Sequence, residues 1–371
     1  MGVAPVSVVS GTMLRVGLVS PYSLTVPGGV QAQVLGLAKE LRRLGHEARV
    51  LGPCDGPPPE PFVTPLGNSL PTAANGSIAP LAPDAPAALR TIRALRDEEF
   101  DVVHVHEPLA PGPAMTSVVL HSAPIVGTFH AAGVSASYRL FKPLLIRLNR
   151  NIDAKVVVSK DALELVRSHL GGNDYRVLFN GVDIAAIEGA APVPATAPTI
   201  FFCARHEERK GLAVLLDAFA RLEGDVRLWV AGDGPDSAPL RARASSDPRI
   251  SWLGRIDDNE KFGRLRGATV FCAPSLHGES FGVVLIEAMA ARTPVVASSL
   301  DGYTNVATDG VDALLVPPGD TAALATALER ALTDARLAAA LRAAGATRAE
   351  HFSMCRLADE YLTIYRSLLR P

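Results

Sequence analysis

Apolar residues recur along the chain in two alternating rhythms. Residues 14–19 form a short continuous apolar run ending in the turn-prone Ser20-Pro21-Tyr22, the pattern of a strand buried on both faces. Gly28-Gly29 then opens a helical period (Val30, Val34, Leu37, Leu41, Leu44) that stops at Gly45, and residues 48–51 supply the next strand. Strand, helix, strand is a βαβ unit, and further strands are predicted at 102–105, 125–128 and 155–158. Between 185 and 198 the chain turns rich in Ala and Pro, which reads as a linker. The pattern then restarts, with strands at 200–203, 226–230, 270–273 and 295–297 and helices at 211–222 and 283–291. At the end, residues 356–369 put Leu357, Tyr361, Ile364 and Leu368 on one stripe, an amphipathic helix. These elements predict an α/β protein of two doubly wound domains, 1–184 and 199–352, joined by the linker 185–198. The helix within 353–371 is expected to pack back toward the first domain. Open sheets of this kind bind ligands at their strand C-termini, and a cleft between the two is the expected site.

Composition narrows the classes. A chain of 371 residues exceeds what one core organises, about 250–300 residues. With 48% hydrophobic and 20% charged residues it is globular rather than disordered. A net charge of −2 excludes a nucleic-acid binder working by global charge, so an anionic partner must meet a local basic patch. The cysteines Cys54, Cys203, Cys272 and Cys355 are scattered, with no CxxC pair, and suit a reducing compartment better than a disulfide framework or a zinc cluster. No apolar span is long enough for a transmembrane helix. The first residues lack the basic stretch of a signal peptide, and Val6 stands where myristoylation wants Ser or Thr. The expectation is a cytoplasmic protein, able to touch a membrane surface.

The chemistry concentrates in a few places. Neither Gly28-Gly29 nor Gly232-Asp233-Gly234 completes the three-glycine fingerprint of a dinucleotide site, which disfavours a dehydrogenase. Gly28-Gly29 does offer bare backbone N–H at a helix start, suited to a phosphate or a sugar, or simply to a tight turn. In the second domain Arg205 follows a strand end, and Lys210 precedes a helix. Glu279 lies before another helix and Glu287 within it, eight residues on. Singly such charges are usually surface salt-bridge members. Together, two carboxylates, two cations and a helix N-terminus are hard to explain as structure and fit a diphosphate held without a metal.

Five motifs carry a resemblance: PGGVQ at 27–31, TFH at 128–130, NGVD at 180–183, the Arg205…Lys210 pair and HGESFGVVLIEAMAA at 277–291. On these the chain is similar to the family 4 retaining glycosyltransferases. That resemblance implies the GT-B fold, two Rossmann-like domains facing a cleft. A narrower likeness, carried by SPYSLTVPGGVQ, HVHEP, Asn75-Gly76-Ser77 and IDDNEK at 256–261, is to members that mannosylate phosphatidylinositol. It implies transfer of mannose from GDP-mannose to the inositol of phosphatidylinositol, by a peripheral protein at the inner face of the plasma membrane. No cofactor and no metal are implied. The implied partners are the nucleotide sugar, an anionic lipid acceptor and the membrane surface, with no nucleic acid.

The resemblance also implies roles. Glu279 would bind the sugar hydroxyls, Arg205 and Lys210 the diphosphate, and Glu287 the ribose. Phe281 and Gly282 would offer backbone N–H beside Ser280 and Val283, and Gly29 would lie against the diphosphate from the first domain. His130 would sit beside the anomeric centre, to contact the sugar or to orient the acceptor, unless it is only a hydrogen-bonded histidine at a strand end. Catalytic roles would fall to His130, Glu279, Arg205 and Lys210, while Tyr22, Gln31, Asn75 and Ser77 would line the acceptor side. Ile256, Asp258 and Lys261 would meet the base. Guanine offers two adjacent donors that one carboxylate accepts together, and uracil offers a single ring N–H. Asp258 therefore favours GDP, unless it is only a helix N-cap. His104 and His106, on an apolar strand, read as structural. No carboxylate is marked as a nucleophile, so front-face attack and double displacement both stay open.

For membrane contact, residues 85–98 place Leu89, Ile92 and Leu95 on one stripe beside Arg90, Arg93 and Arg96. A solvated surface helix is the alternative. A second basic and apolar segment competes, with Leu140, Phe141, Leu144, Leu145 and Leu148 among Arg139, Lys142, Arg147 and Arg150. Two other functions remain open: the same donor site serving another nucleotide sugar or a soluble acceptor, and a nucleotide-sugar-binding protein without turnover.

Overall fold

The computed structural model describes residues 12–74, 77–131, 141–279 and 281–369. They divide into two compact units: the chain up to Val157 with Leu163–Val177 and everything from Ala358 on, and Val158–Ala162 with Leu178–Leu357. Each is built on one parallel sheet.

The first sheet contains β1 (Arg15–Val19), β2 (Glu47–Gly52), β3 (Val63–Pro65), β6 (Val102–His106), β7 (Ile125–Phe129), β8 (Ala154–Val157) and β9 (Tyr175–Val177), in the order β3-β2-β1-β6-β7-β8-β9. Between them in sequence, β4 (Leu70–Ala74) and β5 (Ser77–Leu81) form a separate antiparallel hairpin. Central β6 and β7 are buried at every position, as strands covered on both faces must be. The winding direction reverses between β1 and β6, so this sheet's switch point lies where the Ser20–Gly29 loop and Glu107 emerge. The hairpin is tied to that loop, Ser23 N–H donating to Pro80 O at 2.9 Å and Tyr22 bridging to Leu81.

The second sheet contains β10 (Thr199–Cys203), β11 (Arg227–Ala231), β12 (Ile250–Gly254), β13 (Val270–Ala273), β14 (Val295–Ser298) and β15 (Leu314–Val316), in the order β12-β11-β10-β13-β14-β15. Strand alternation divides its core: Phe201 and Phe271 join one apolar cluster with Leu285, Ile286 and Met289, while Phe202 joins the other with Leu215, Phe219 and Leu328. A fully buried side chain of this size contributes roughly 1.5–3 kcal/mol. The reversal falls between β10 and β13, the strands that lead to Arg205 and Glu279.

The Ala/Pro-rich stretch behaves differently from its composition. It begins with a helix, Ile184–Gly189, capped by Asp183, whose side chain accepts the Ala186 N–H at 2.9 Å. Ile187 is fully buried, and Val193 N–H donates to Gly263 O at 2.9 Å, so the stretch is fastened to the second unit. The terminal helix, Met354–Leu368, places Tyr361 and Tyr365 against His104 of the first sheet. Among the described residues no helix is long and apolar enough to cross a membrane.

Candidate functional site

In the second unit the turn after β10 and the loop after β13 are joined by two contacts. Leu276 N–H donates to Arg209 O at 2.7 Å, and Gly211, at φ +69°, lies so close that a Cβ there would fall 1.9 Å from Pro274 O. Only glycine fits this approach. The result is that Lys210 meets Glu279, Nζ to Oε1 at 2.5 Å. Ser275 Oγ donates to the same carboxylate oxygen at 2.9 Å and lies 3.0 Å from Tyr303 OH. Arg209 Nη1 stands 3.6 Å from Glu279. Arg205 does not join this cluster. Its side chain is two-thirds exposed and leans toward Glu207 at 3.7 Å, on the carboxylate that also holds Arg209.

Gly282, at φ +91°, turns the chain into the helix Val283–Ala290, and a Cβ there would meet the Tyr303 ring at 2.8 Å. The first N–H groups of that helix have no acceptor within it and point out of its start. Phe281 is buried and stacks on Phe179 with centroids 5.4 Å apart, so only its backbone is available to a ligand. Val283 and Ile256 are partly buried against the same core. Ser280 lies outside the described residues.

Glu287 is the one charged residue of its helix. Lys261 bridges it, at 2.9 Å, to Asp258 at 3.0 Å. Burial opposes the Lys261 charge, but Glu287 and Asp258 outweigh it and hold the ammonium above the ordinary lysine range. Asp258 is not the N-cap of its helix. Asp257 is, its side chain accepting the Glu260 N–H at 2.8 Å. Asp258 is left with a largely exposed carboxylate, its side chain 80% accessible, steadied on one oxygen by Lys261.

The first unit builds a different cluster at its own switch point. His104 and His106, two apart on β6, point the same way and stack at 4.4 Å, and His106 stacks on His130 at 5.1 Å. His106 Nδ1 and His130 Nε2 are 2.9 Å apart. His104 turns both nitrogens elsewhere, Nδ1 to Tyr365 OH at 2.7 Å and Nε2 to Thr128 Oγ1 at 2.8 Å. Burial pushes His104 and His130 down to about 3 and His106 well below its ordinary value, so all three rings are neutral. Glu107, at φ +46°, accepts both the His130 and Ala131 N–H groups on Oε1 at 2.5 Å. Its burial lifts the carboxyl to about 7 against those bonds. Half-buried Tyr22 is raised above the ordinary phenol by burial and then by Glu107.

Gln31 is spent on the loop, its amide donating to Ser23 O and Val26 O at 3.3 and 3.1 Å. Gly29 begins the helix Gly29–Arg43 in open space, with nothing within 4 Å of a Cβ built there. Asn75 lies outside the described residues, and so do Arg139 and Leu140; Ser77 opens β5. The helix Ala85–Asp97 does carry Arg90, Arg93 and Arg96 outward, but its apolar stripe splits. Leu95 packs inward beside Ala87 and Thr91, Ile92 is half-buried and Leu89 is 67% exposed. The helix Lys142–Asn149 likewise buries Leu145 and Leu148 and exposes Leu144, with Phe141 exposed at its N-cap.

Sequence reasoning did not single out Ser275, Tyr303, Arg209 and Glu107, nor the contact of His106 with His130. Only His106 carried a signal, the two-residue spacing that sets it on the same face as His104. Among the described residues no group of three His, Cys, Asp or Glu is placed to hold a metal.

Residues 27–186 match the model of Glycosyltransferase Family 4, and residues 197–334 that of Glycosyl transferases group 1. A phosphatidyl-myo-inositol mannosyltransferase of Mycobacterium leprae is 39% identical, over 96% of this chain and 97% of that one. Its namesake from Propionibacterium freudenreichii is 34% identical over 87% of each chain. Among solved structures, a glycosyltransferase from Rickettsia africae superposes with a TM-score of 0.74 at 19% identity, covering 97% of this chain and all of that one. Sucrose-phosphate synthase from Thermosynechococcus elongatus superposes with a TM-score of 0.75 at 21% identity, covering 96% and 99%.

Proposed function

The chain belongs to the family 4 glycosyltransferases, with their GT-B fold, and from that premise we propose that it transfers mannose from GDP-mannose to the inositol of phosphatidylinositol. The reaction would run at the cytoplasmic face of the membrane and without a divalent metal. The observation that carries this reading is similarity, along nearly the whole of both chains, to proteins named phosphatidyl-myo-inositol mannosyltransferase. The site's chemistry agrees with it. Transfer from a sugar diphosphate leaves negative charge on the departing diphosphate, and that charge must be met where it develops. Lys210 and Arg209 beside Glu279, Arg205 on the same turn and the start of the helix Val283–Ala290 are positive groups suited to that task. Glu279, with Lys210 and Ser275 fixed on one oxygen, keeps the other available for sugar hydroxyls. The exposed Asp258 carboxylate, steadied by Lys261, suits the paired donors of guanine, and Glu287 behind it suits a ribose diol.

The test is direct. The protein is incubated with GDP-mannose and phosphatidylinositol vesicles, with UDP-sugars, free inositol and a chelator as parallel arms. Mannosylated lipid is expected from GDP-mannose alone, undiminished by the chelator. Product from a UDP-sugar overturns the donor, mannosylated free inositol but no lipid overturns the acceptor, and loss in chelator reversed by Mg²⁺ overturns metal independence.

A further inference from the structure

We propose that His106 is a positioning residue that fixes the tautomer of His130, so that His130 faces the substrate with an Nδ1–H donor and carries no free lone pair for use as a base. Three facts lead there. First, His106 is 2% exposed, and its Nε2 is a buried nitrogen with no hydrogen-bond partner among the described residues. Its Nδ1 has one partner, His130 Nε2, at 2.9 Å. Second, His104 does not compete, since Tyr365 and Thr128 occupy both its nitrogens. Third, the enclosed rings are neutral, and a neutral imidazole has one N–H to place.

The proton's position follows from cost. A buried N–H without an acceptor is rarer and dearer than a buried lone pair without a donor. His106 therefore keeps its proton on Nδ1, where an acceptor exists, rather than on Nε2, where the described residues offer none. It donates to His130 Nε2, which must then be bare. The single proton of neutral His130 is left on Nδ1. A bare Nε2 already engaged by His106 cannot take a proton from an incoming hydroxyl, so His130 works as a hydrogen-bond donor to a substrate oxygen. Glu107 completes the arrangement by gripping the backbone N–H of His130 and Ala131, which fixes where the ring is carried.

That the oxygen belongs to a sugar rests on the proposed mannosyl transfer, whereas the tautomer does not. Nitrogen NMR of the substrate-free protein carrying ¹⁵N-histidine reads it, with His130 assigned by its loss in His130→Asn. The expected spectrum shows His130 protonated at Nδ1 and bare at Nε2. A proton on His130 Nε2 overturns the proposal. In His106→Asn the side-chain amide replaces the lost ring donor, and both tautomer and turnover should be kept within severalfold. In His106→Leu the tautomer should shift and kcat should fall by roughly 10²-fold, the size of losing one preorganised donor, with KM for GDP-mannose little changed. An unshifted tautomer in His106→Leu overturns the proposal; if that variant does not fold, the parent spectrum decides. An Nδ1–H His130 in a protein that makes no mannolipid counts against the function alone.

Discussion

At the scale of single residues, Glu279 joins two requirements in one carboxylate: it holds Lys210 and Ser275 on one oxygen, and in the proposed reaction its other oxygen serves the sugar. Glu279→Gln keeps a carbonyl oxygen for Ser275 and Lys210, so the loop should hold its shape. Transfer should still fall on the order of 10²-fold, as when a positioning group is lost. Turnover near the parent level, with an unchanged melting temperature, would remove Glu279 from the site. Asp258 makes a separable prediction. A hydrogen bond to a charged group is worth about 1.5–3 kcal/mol, so Asp258→Asn should weaken GDP roughly 10- to 100-fold in calorimetry. UDP serves as the control, and equal loss for both nucleotides would sink guanine reading by this residue. Gly29 is the opposite case. With nothing near its missing Cβ, the fold does not require glycine there, and alanine is the better helix former by about 1 kcal/mol. Gly29→Ala should therefore melt no lower than the parent but transfer mannose more slowly, and full activity would show that no diphosphate approaches that backbone.

At the scale of elements, the helix Ala85–Asp97 shows how far periodicity reaches. Its stripe predicts one apolar face, yet the burial of Ala87, Thr91 and Leu95 fixes the inward side four residues at a time and turns Leu89 outward. The outer face is then one exposed leucine among Arg90, Arg93 and Arg96, with Arg93 also paired to Asp97 at 3.3 Å. A lone leucine inserts little area, so binding to an anionic surface rests mainly on charge. At about 1 kcal/mol per arginine, replacing all three with Gln should weaken sedimentation with phosphatidylinositol vesicles by roughly two orders of magnitude. GDP affinity should not change, because Asp258, Lys261 and Glu287 belong to the other unit. Equal vesicle binding by parent and triple variant would exclude this helix and turn attention to Lys142–Asn149, with its exposed Leu144 and N-cap Phe141.

At the scale of the whole molecule, the buried histidines make stability depend on pH in a definite direction. The folded pKa values of His104 and His130 are near 3, and His106 is also depressed, so below about 6.5 the unfolded chain binds protons that the folded one refuses. Stability is fully present above that pH and is lost as pH falls toward the folded values. Glu107 opposes this: its carboxyl, raised to about 7, retains a proton that the unfolded chain releases above about 4.5, so its share declines as pH rises. Three imidazoles outweigh one carboxyl between pH 4.5 and 6.5. The melting temperature should therefore drop on acidification across that window, with a shallower slope in His106→Asn. A flat profile would mean that the rings are charged in the folded state.

Much of this was written in the chain. The continuous apolar runs could only be strands covered on both faces, the helical periods between them could only be crossovers, and two such series in 371 residues required two sheets. The loop and helix around Glu279 and Glu287 were also legible, because local glycines and a carboxylate in an otherwise apolar helix stand out within a few residues. Other features depended on partners far apart in sequence. Whether Ile187 made the Ala/Pro stretch part of a core, whether Asp257 or Asp258 capped its helix, and whether Arg205 or Arg209 reached Glu279 were decided by packing between distant segments. Tyr361 and Tyr365 seal His104 from more than 250 positions away, and no periodicity records that. Side-chain spacing encodes which face a residue takes, while its protonation, its partner and its burial are properties of the closed core, and those exist only once the chain has folded.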